Sequence, residues 1–247
     1  MKDFLVVIPA RLGSTRLPRK VLADLGGRPV VEWCRQAALA AKLGPVIVAT
    51  DSAEVKDALA PLGAEVVLTP ASCASGSDRV WAAANQPRYR GYRFIVNFQG
   101  DAPFLKPSTL KQVAAVLKKD RKADIATGVV TLRRAEEAAS PHLVKAVVAK
   151  DGRCLYFSRS SIPWNASSFM GHLGIYVYRR EALKRFVGLK PSPLELSERL
   201  EQLRALEDGM TIKAATVEDS LLAIDTADDL ERARAQATQQ TEVNIHG

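Results

Sequence analysis

Three strand-then-helix units follow one another in the first seventy or so residues, and they restrict the fold more than any other feature. The apolar run Phe4 to Ile8 is a strand, and apolar spacing from Val30 to Leu43 suits a helix that Gly44 and Pro45 end. Val46 to Ala49 is a second strand, followed by a helix from Ala53 to Leu62 that Gly63 stops and by a third strand, Glu65 to Leu68. Strands separated by helices pair in parallel through right-handed crossovers. In such open sheets ligands bind outside the carboxyl ends of the strands. Residues just after each strand are therefore the first candidates for a site.

One of those positions carries an acid. Phe94 to Phe98 is an apolar, β-prone run that breaks at Gly100, and Asp101 follows before Pro103 forbids further sheet pairing. A carboxylate there is placed for a metal or a polyphosphate. The alternative is a loop aspartate that satisfies nearby amides. Asp225, after Leu221 to Ile224, is a second isolated carboxylate. Thr226 then caps a helix from Ala227 to Ala237, with Asp229 completing a capping box.

The loop after the first strand, Pro9 to Lys20, gathers Arg11, Arg16, Arg19 and Lys20 with Gly13, Ser14 and Thr15. Glycine and small hydroxyl residues let backbone amides approach a phosphate, and the cations neutralise it. The loop matches neither the Walker pattern nor a dinucleotide fingerprint. Its alternative reading is a solvated charged turn. Ser75-Gly-Ser-Asp-Arg79 precedes a helix, Val80 to Asn85, with Ser77 as its candidate cap.

Beyond the Asp101 strand, Ser108 to Lys119 is an amphipathic helix with Ser108 as cap candidate. Ala123 to Leu132 and Val144 to Val148 are strands, and the latter leads through a turn to Cys154 to Phe157 as a hairpin or meander. His172 to Tyr178 is a further strand, at whose head His172 reads as a surface or packing residue rather than a catalytic one. Glu181 to Phe186 is helical, and Glu195 to Glu207 is one helix with Leu196, Leu200, Leu203 and Leu206 at helical spacing. Glu201 and Gln202 are exposed polar positions on that reading. Ile212 to Thr216 is the last strand.

With 247 residues, 47% of them hydrophobic and 25% charged, the chain is an ordinary globule. No apolar run is long enough to span a membrane, and a cytoplasmic protein without membrane association is expected. Cys34, Cys73 and Cys154 lack the spacing of a zinc site or disulfide framework. A net charge of +8 admits a nucleic-acid partner, but the cations are spread along the chain without interleaved aromatics, and none is expected. A small anionic substrate uses local positive charge equally well.

Several segments together resemble the 3-deoxy-manno-octulosonate (Kdo) cytidylyltransferases, also called CMP-Kdo synthetases. They are Ile8-Pro-Ala-Arg-Leu-Gly-Ser-Thr-Arg-Leu-Pro18, Ala49-Thr-Asp51, Ser75-Gly-Ser-Asp-Arg79, Asn97-Phe-Gln-Gly-Asp101, Tyr156 to Trp164, His172 to Tyr176, Pro191 to Glu195, Leu200 to Arg204 and Ile224-Asp-Thr226. They occur in family order over nearly the whole chain.

The resemblance implies a mixed, mostly parallel central sheet flanked by helices, with a smaller β-rich dimerisation region. It implies one domain over residues 1–235, with a nucleotide-binding part to about 122 and a sugar-acid and dimerisation part from about 123; the polar end of the chain, 236–247, is expected to be a flexible tail. It implies a homodimer that joins CTP to Kdo for lipopolysaccharide synthesis and releases pyrophosphate; the 8-amino form of Kdo or another sugar acid is the alternative acceptor. Arg11, Ser14, Arg16 and Lys20 would hold the triphosphate, and Ser75, Gly76, Asp78 and Arg79 the cytidine. Asp101 and Asp225 would carry Mg2+. Gln99, Arg159, His172, Tyr176, Glu201 and Gln202 would line the sugar-acid pocket. The chain departs from the family pattern at Ala102, where glutamate is common, at Arg19, where glycine is usual, in the short connection from Trp164 to His172, and in Glu218 to Ala223, which lacks the family's glycines.

Overall fold

The computed structural model describes residues 2–13 and 16–246, with side chains as far as residue 238. In chain order its strands are β1 (Lys2–Pro9), β2 (Asp24–Leu25), β3 (Arg28–Pro29), β4 (Val46–Thr50), β5 (Glu65–Leu68), β6 (Tyr92–Phe98), β7 (Ile125–Leu132), β8 (Lys145–Val148), β9 (Cys154–Ser158), β10 (Phe169–Arg179) and β11 (Ile212–Thr216). Its α-helices are α1 (Val30–Ala40), α2 (Ala53–Leu59), α3 (Gly76–Ala84), α4 (Pro107–Lys119), α5 (Ala135–Ala139), α6 (Arg180–Gly188), α7 (Pro193–Glu198), α8 (Gln202–Glu207) and α9 (Ala227–His246).

The central sheet runs β11-β7-β10-β6-β1-β4-β5, and β8 and β9 extend it from β10. Strands β6, β1, β4 and β5 are parallel, β10 lies antiparallel between β6 and β7, and β11 is parallel to β7. The sheet is thus mixed and mostly parallel along its main path, and β8 with β9 forms the expected hairpin.

Alternation along β1 produces the layers. Phe4, Val6 and Ile8 face one core with Val31, Cys34, Val55, Leu110 and Val113. Leu5 and Val7 face the other, with Val80, Ala83, Leu183, Phe186 and Leu203. Side chains of period two on a strand covered by helices on both faces must be apolar on both. At Gly44, after α1, an added Cβ would sit 2.1 Å from the Phe4 carbonyl oxygen of β1, so only glycine lets the chain turn so close to the sheet.

The chain builds outward from β1 through β4 to β5 and then returns to place β6 on the opposite side of β1. This reversal opens a crevice at the carboxyl ends of β1 and β6.

Several boundaries differ from the sequence reading. Helix α3 begins at Gly76 and is capped by Ser75, not Ser77; Ser75 Oγ accepts from the Asp78 amide while the Asp78 carboxylate accepts from the Ser75 amide. Helix α4 begins at Pro107, whose ring presets the first helical turn, so Ser108 is not its cap. The single helix expected from Glu195 to Glu207 is two, α7 and α8, because Arg199 takes a left-handed conformation at φ 55°. Leu196 is accordingly 67% exposed despite its helical spacing. Helix α9 runs past Ala237 to His246. Arg19 has φ 61°, a left-handed conformation that glycine adopts without steric penalty, which accounts for the glycine usual there in the resembled family.

Candidate active site

The crevice between β1 and β6 is a cleft of ≈ 280 Å³. Pro9, Ala10, Arg11, Arg16 and Lys20 line it from the first loop, Gly76 and Arg79 from α3, Gln99, Gly100 and Asp101 from the end of β6, and Asp225 from the segment before α9. Thus three of the four loop cations, part of the Ser75–Arg79 segment and both isolated carboxylates meet in one place, while Arg19 pairs with Glu54 instead. Ser14 lies outside the described residues.

The two acids converge on one cation. Lys20 Nζ donates to Asp101 Oδ2 at 2.8 Å and to Asp225 Oδ1 at 3.0 Å, and Arg16 pairs with Asp225 Oδ2 at 3.0 Å. Burial alone would lower the Lys20 pKa, but the charges and hydrogen bonds of Asp101 and Asp225 outweigh it and raise it. The Ile224 amide donates to the Asp101 carbonyl at 2.8 Å, which ties the two acid-bearing segments together. Asp229 accepts from the amides of Asp225 and Thr226 and from the Thr226 hydroxyl, fixing Asp225 at the start of α9 as the capping box predicts.

Two carboxylates around a shared positive charge form an oxygen donor set that suits Mg2+ held jointly with substrate phosphates. Among the described residues no third His, Cys, Asp or Glu joins them.

Arg79 is buried and its guanidinium is committed. Nη1 donates to Thr69 Oγ1 at 2.7 Å and Nη2 to Asp51 Oδ2 at 2.8 Å, so it braces the ends of β4 and β5. Ser75 and Asp78 satisfy each other within the α3 cap. Ser77, the residue first expected to cap, donates instead to Glu201 Oε2 at 2.9 Å.

That bond carries the site across to α8. Burial raises the Glu201 pKa against the opposing bonds from Ser75 and Ser77. Gln202 is buried and its Nε2 has no partner, as does Nδ2 of buried Asn97 on β6. Gln99 Nε2 donates to Asn97 Oδ1 at 3.3 Å. A bulge in β10 between Leu173 and Tyr176 lets Gly174 pass Gln99 closely.

His172 sits in mid-strand, with its ring 4.9 Å from that of Phe157 and 5.4 Å from that of Tyr176. Thr127 Oγ1 donates to the Ile175 carbonyl at 2.7 Å, so His172 Nε2 donates to that hydroxyl at 2.9 Å. Burial pushes the imidazole pKa down to about 3. Neither His172, Tyr176 nor Arg159 lines the cleft itself. Arg159 is held by the backbone of Glu198 and Pro141, and the Glu198 carboxylate accepts from its amide. Glu198 and Asn97 escape the sequence reading, since each sits in a helix or strand pattern without a local signal for its role, and Ser77 is seen there only as a cap.

A topological crevice that gathers three cations of one loop and a pair of carboxylates is built to hold a polyphosphate, as nucleotidyltransferases must. The cytidylyltransferase family model matches residues 5–212, and the chain belongs to that family. A 3-deoxy-manno-octulosonate cytidylyltransferase of Elusimicrobium minutum is 48% identical over 242 residues, covering 95% of this chain and 98% of the relative. One of Rhodospirillum centenum is 47% identical over 243 residues, covering 96% and 94%. The solved structure of a CMP:2-keto-3-deoxy-manno-octonic acid synthetase complexed with CTP superposes with a TM-score of 0.90 at 34% identity, over 96% of this chain and 99% of that one.

Proposed function

We propose that the chain joins CTP to 3-deoxy-manno-octulosonate, forming CMP-Kdo and releasing pyrophosphate, in the cytoplasm and as a homodimer, for lipopolysaccharide synthesis. The observation that carries this reading is the convergence of Asp101 and Asp225 on Lys20 inside a cleft that Arg11 and Arg16 also line. Relatives that bear this activity in their names, 47–48% identical and nearly coextensive with the chain, support the choice of acceptor. For the dimer, the support is the 94% exposed Trp164 between β9 and β10; for the cytoplasm, that among the described residues no helix is long and apolar enough to cross a membrane.

Arg11, Arg16 and Lys20 neutralise the triphosphate, so that a second anion can approach the α-phosphorus. Arg16 and Lys20 stabilise the departing pyrophosphate. Asp101 and Asp225 are the residues that would hold Mg2+, which supplies charge for the phosphoryl oxygens and lowers the pKa of the attacking sugar hydroxyl. Ser75, Gly76, Asp78 and Arg79 present the α3 terminus to cytidine. The acceptor is oriented by Gln99, Arg159, His172, Tyr176, Glu201 and Gln202, and the unpartnered Nε2 of Gln202 is a buried donor available to a sugar oxygen. The neutral, deeply buried His172 supports the wall of that pocket through Thr127 rather than exchanging protons.

Pyrophosphate release with CTP, Mg2+ and competing sugar acids tests the reading. Kdo should be the preferred acceptor. Preference for the 8-amino form would reject this acceptor while retaining cytidylyl transfer, and no turnover with any sugar acid would reject the reaction.

A further inference from the structure

Lys145 is fully buried, yet nothing in the proposed reaction uses it. Its ammonium has three donors. All go to main-chain carbonyls: Ser140 at 2.8 Å, Leu143 at 2.7 Å and Arg159 at 2.5 Å. Removing an ammonium from water is costly, and an apolar side chain would fill the space without that penalty. Burial and the neighbouring Arg159 charge lower its pKa, and Glu198 opposes them. The placement makes sense through what the ammonium joins, the turn after α5 and the residue that follows β9.

That residue, Arg159, is held from every side. Its amide donates to Glu198 Oε2 at 2.9 Å, its Nε to the Glu198 carbonyl at 3.0 Å and its Nη1 to the Pro141 carbonyl at 3.1 Å, while its own carbonyl receives Lys145. The other Glu198 oxygen accepts from Ser158 Oγ at 2.6 Å. An exposed arginine ordinarily samples many rotamers; this one is fixed by backbone and side chain together. The Lys145 ammonium and the Arg159 guanidinium give their hydrogen bonds to main-chain carbonyls, which neutralise neither charge. In register, Lys145 opposes Ser158 on β9 and Gly171 on β10, so the cluster adjoins His172.

We propose that Lys145 and Glu198 are positioning residues that hold Arg159 to receive the carboxylate of the anionic acceptor. This rests on the assignment of Arg159 to the acceptor in the proposed reaction. The test is steady-state kinetics of the full chain with Kdo and CTP, following pyrophosphate, for Lys145→Met, Glu198→Gln, Arg159→Ala and the double variant Lys145→Met/Arg159→Ala, with melting curves to check folding.

Arg159→Ala should raise the acceptor KM about tenfold or more, as loss of a charge-assisted contact does, and leave the CTP KM within about twofold. Lys145→Met and Glu198→Gln should move the acceptor KM alone, in the same direction. The double variant should be no worse than Arg159→Ala, because a strut has no effect once what it supports is gone. Equal changes in both KM values, or multiplying effects in the double variant, overturn the proposal. If Lys145→Met does not fold, Glu198→Gln decides alone: a selective rise supports the proposal and an unchanged acceptor KM overturns it. An unchanged acceptor KM in Arg159→Ala itself refutes instead the assignment of Arg159 on which the proposal stands.

Discussion

Replacing Lys20 with methionine shortens the side chain by one atom and removes one positive charge from between two negative ones. Asp101 Oδ2 and Asp225 Oδ1 lie 2.8 and 3.0 Å from the Lys20 ammonium. Those oxygens are therefore within about 6 Å of each other, where two unit charges at an effective dielectric of about 20 repel by about 3 kcal/mol. The Ile224 amide bond to the Asp101 carbonyl keeps the two segments from drifting apart. Asp225 retains Arg16, but those side chains are 38% and 54% exposed, and solvent screening brings the net destabilisation to about 1–2 kcal/mol. In a chain of this size that lowers Tm by about 2–6 °C. A divalent cation can replace the missing charge. Calorimetry at pH 7 should therefore find that MgCl2 restores most of the loss in Lys20→Met, while the parent protein responds little. A variant that melts with the parent, or that gains no more from MgCl2 than from NaCl at equal ionic strength, refutes the reasoning.

Asp101→Asn and Asp225→Asn should each cut turnover about 10²-fold or more with an unchanged circular dichroism spectrum, and near-parental rates at saturating Mg2+ would remove them from the site. Glu201→Ala should raise the acceptor KM more than the CTP KM, and an acceptor response identical to that of the parent would place Glu201 outside the pocket. His172, with its pKa pushed to about 3, must stay neutral in the fold, whereas the unfolded chain binds a proton near pH 6.5. Its contribution to stability is complete above pH 6.5 and declines as pH falls toward 3, by about 1.4 kcal/mol per unit. His172→Gln should therefore flatten stability against pH over that window, and parallel curves would contradict it. Gly44→Ala, whose new Cβ would meet the Phe4 carbonyl at 2.1 Å, should destabilise by about 3 kcal/mol in urea unfolding, and a shift below 1 kcal/mol would refute the contact.

The parallel half of the sheet is legible in the residues because each strand there is a short apolar run bounded by glycine or proline, and each helix has a local stop. The Asp225 turn is legible for the same reason, since Thr226 and Asp229 satisfy each other within one helical turn. Helices α7 and α8 are not. Leucines at helical spacing continue across Arg199, and nothing in that pattern announces a left-handed residue or the exposure of Leu196. Antiparallel β10 between β6 and β7 is equally hidden, because an alternating strand reads alike in either direction.

The functional residues divide in the same way. The cation-rich loop and the carboxylate that ends β6 mark themselves by type and place, and the ordered motifs connect them to a family. Lys145 looks like any polar strand residue until β9 and β10 enclose it. Arg79 looks like a surface cation until Asp51 and Thr69, from the ends of two strands, close on its guanidinium.

By itself the sequence settles where strands end and which charges stand at those ends, because a strand's limits are set by neighbours a few residues away. It does not settle which charges meet. Lys20 and Asp225 are 205 positions apart, and Ser77 and Glu201 are 124 apart. Only the reversal of the chain at β1, the return of the segment before α9 over β6 and the break at Arg199 bring those pairs within 3 Å. These are consequences of how helices cover both faces of one sheet, a packing that no local run of residues encodes.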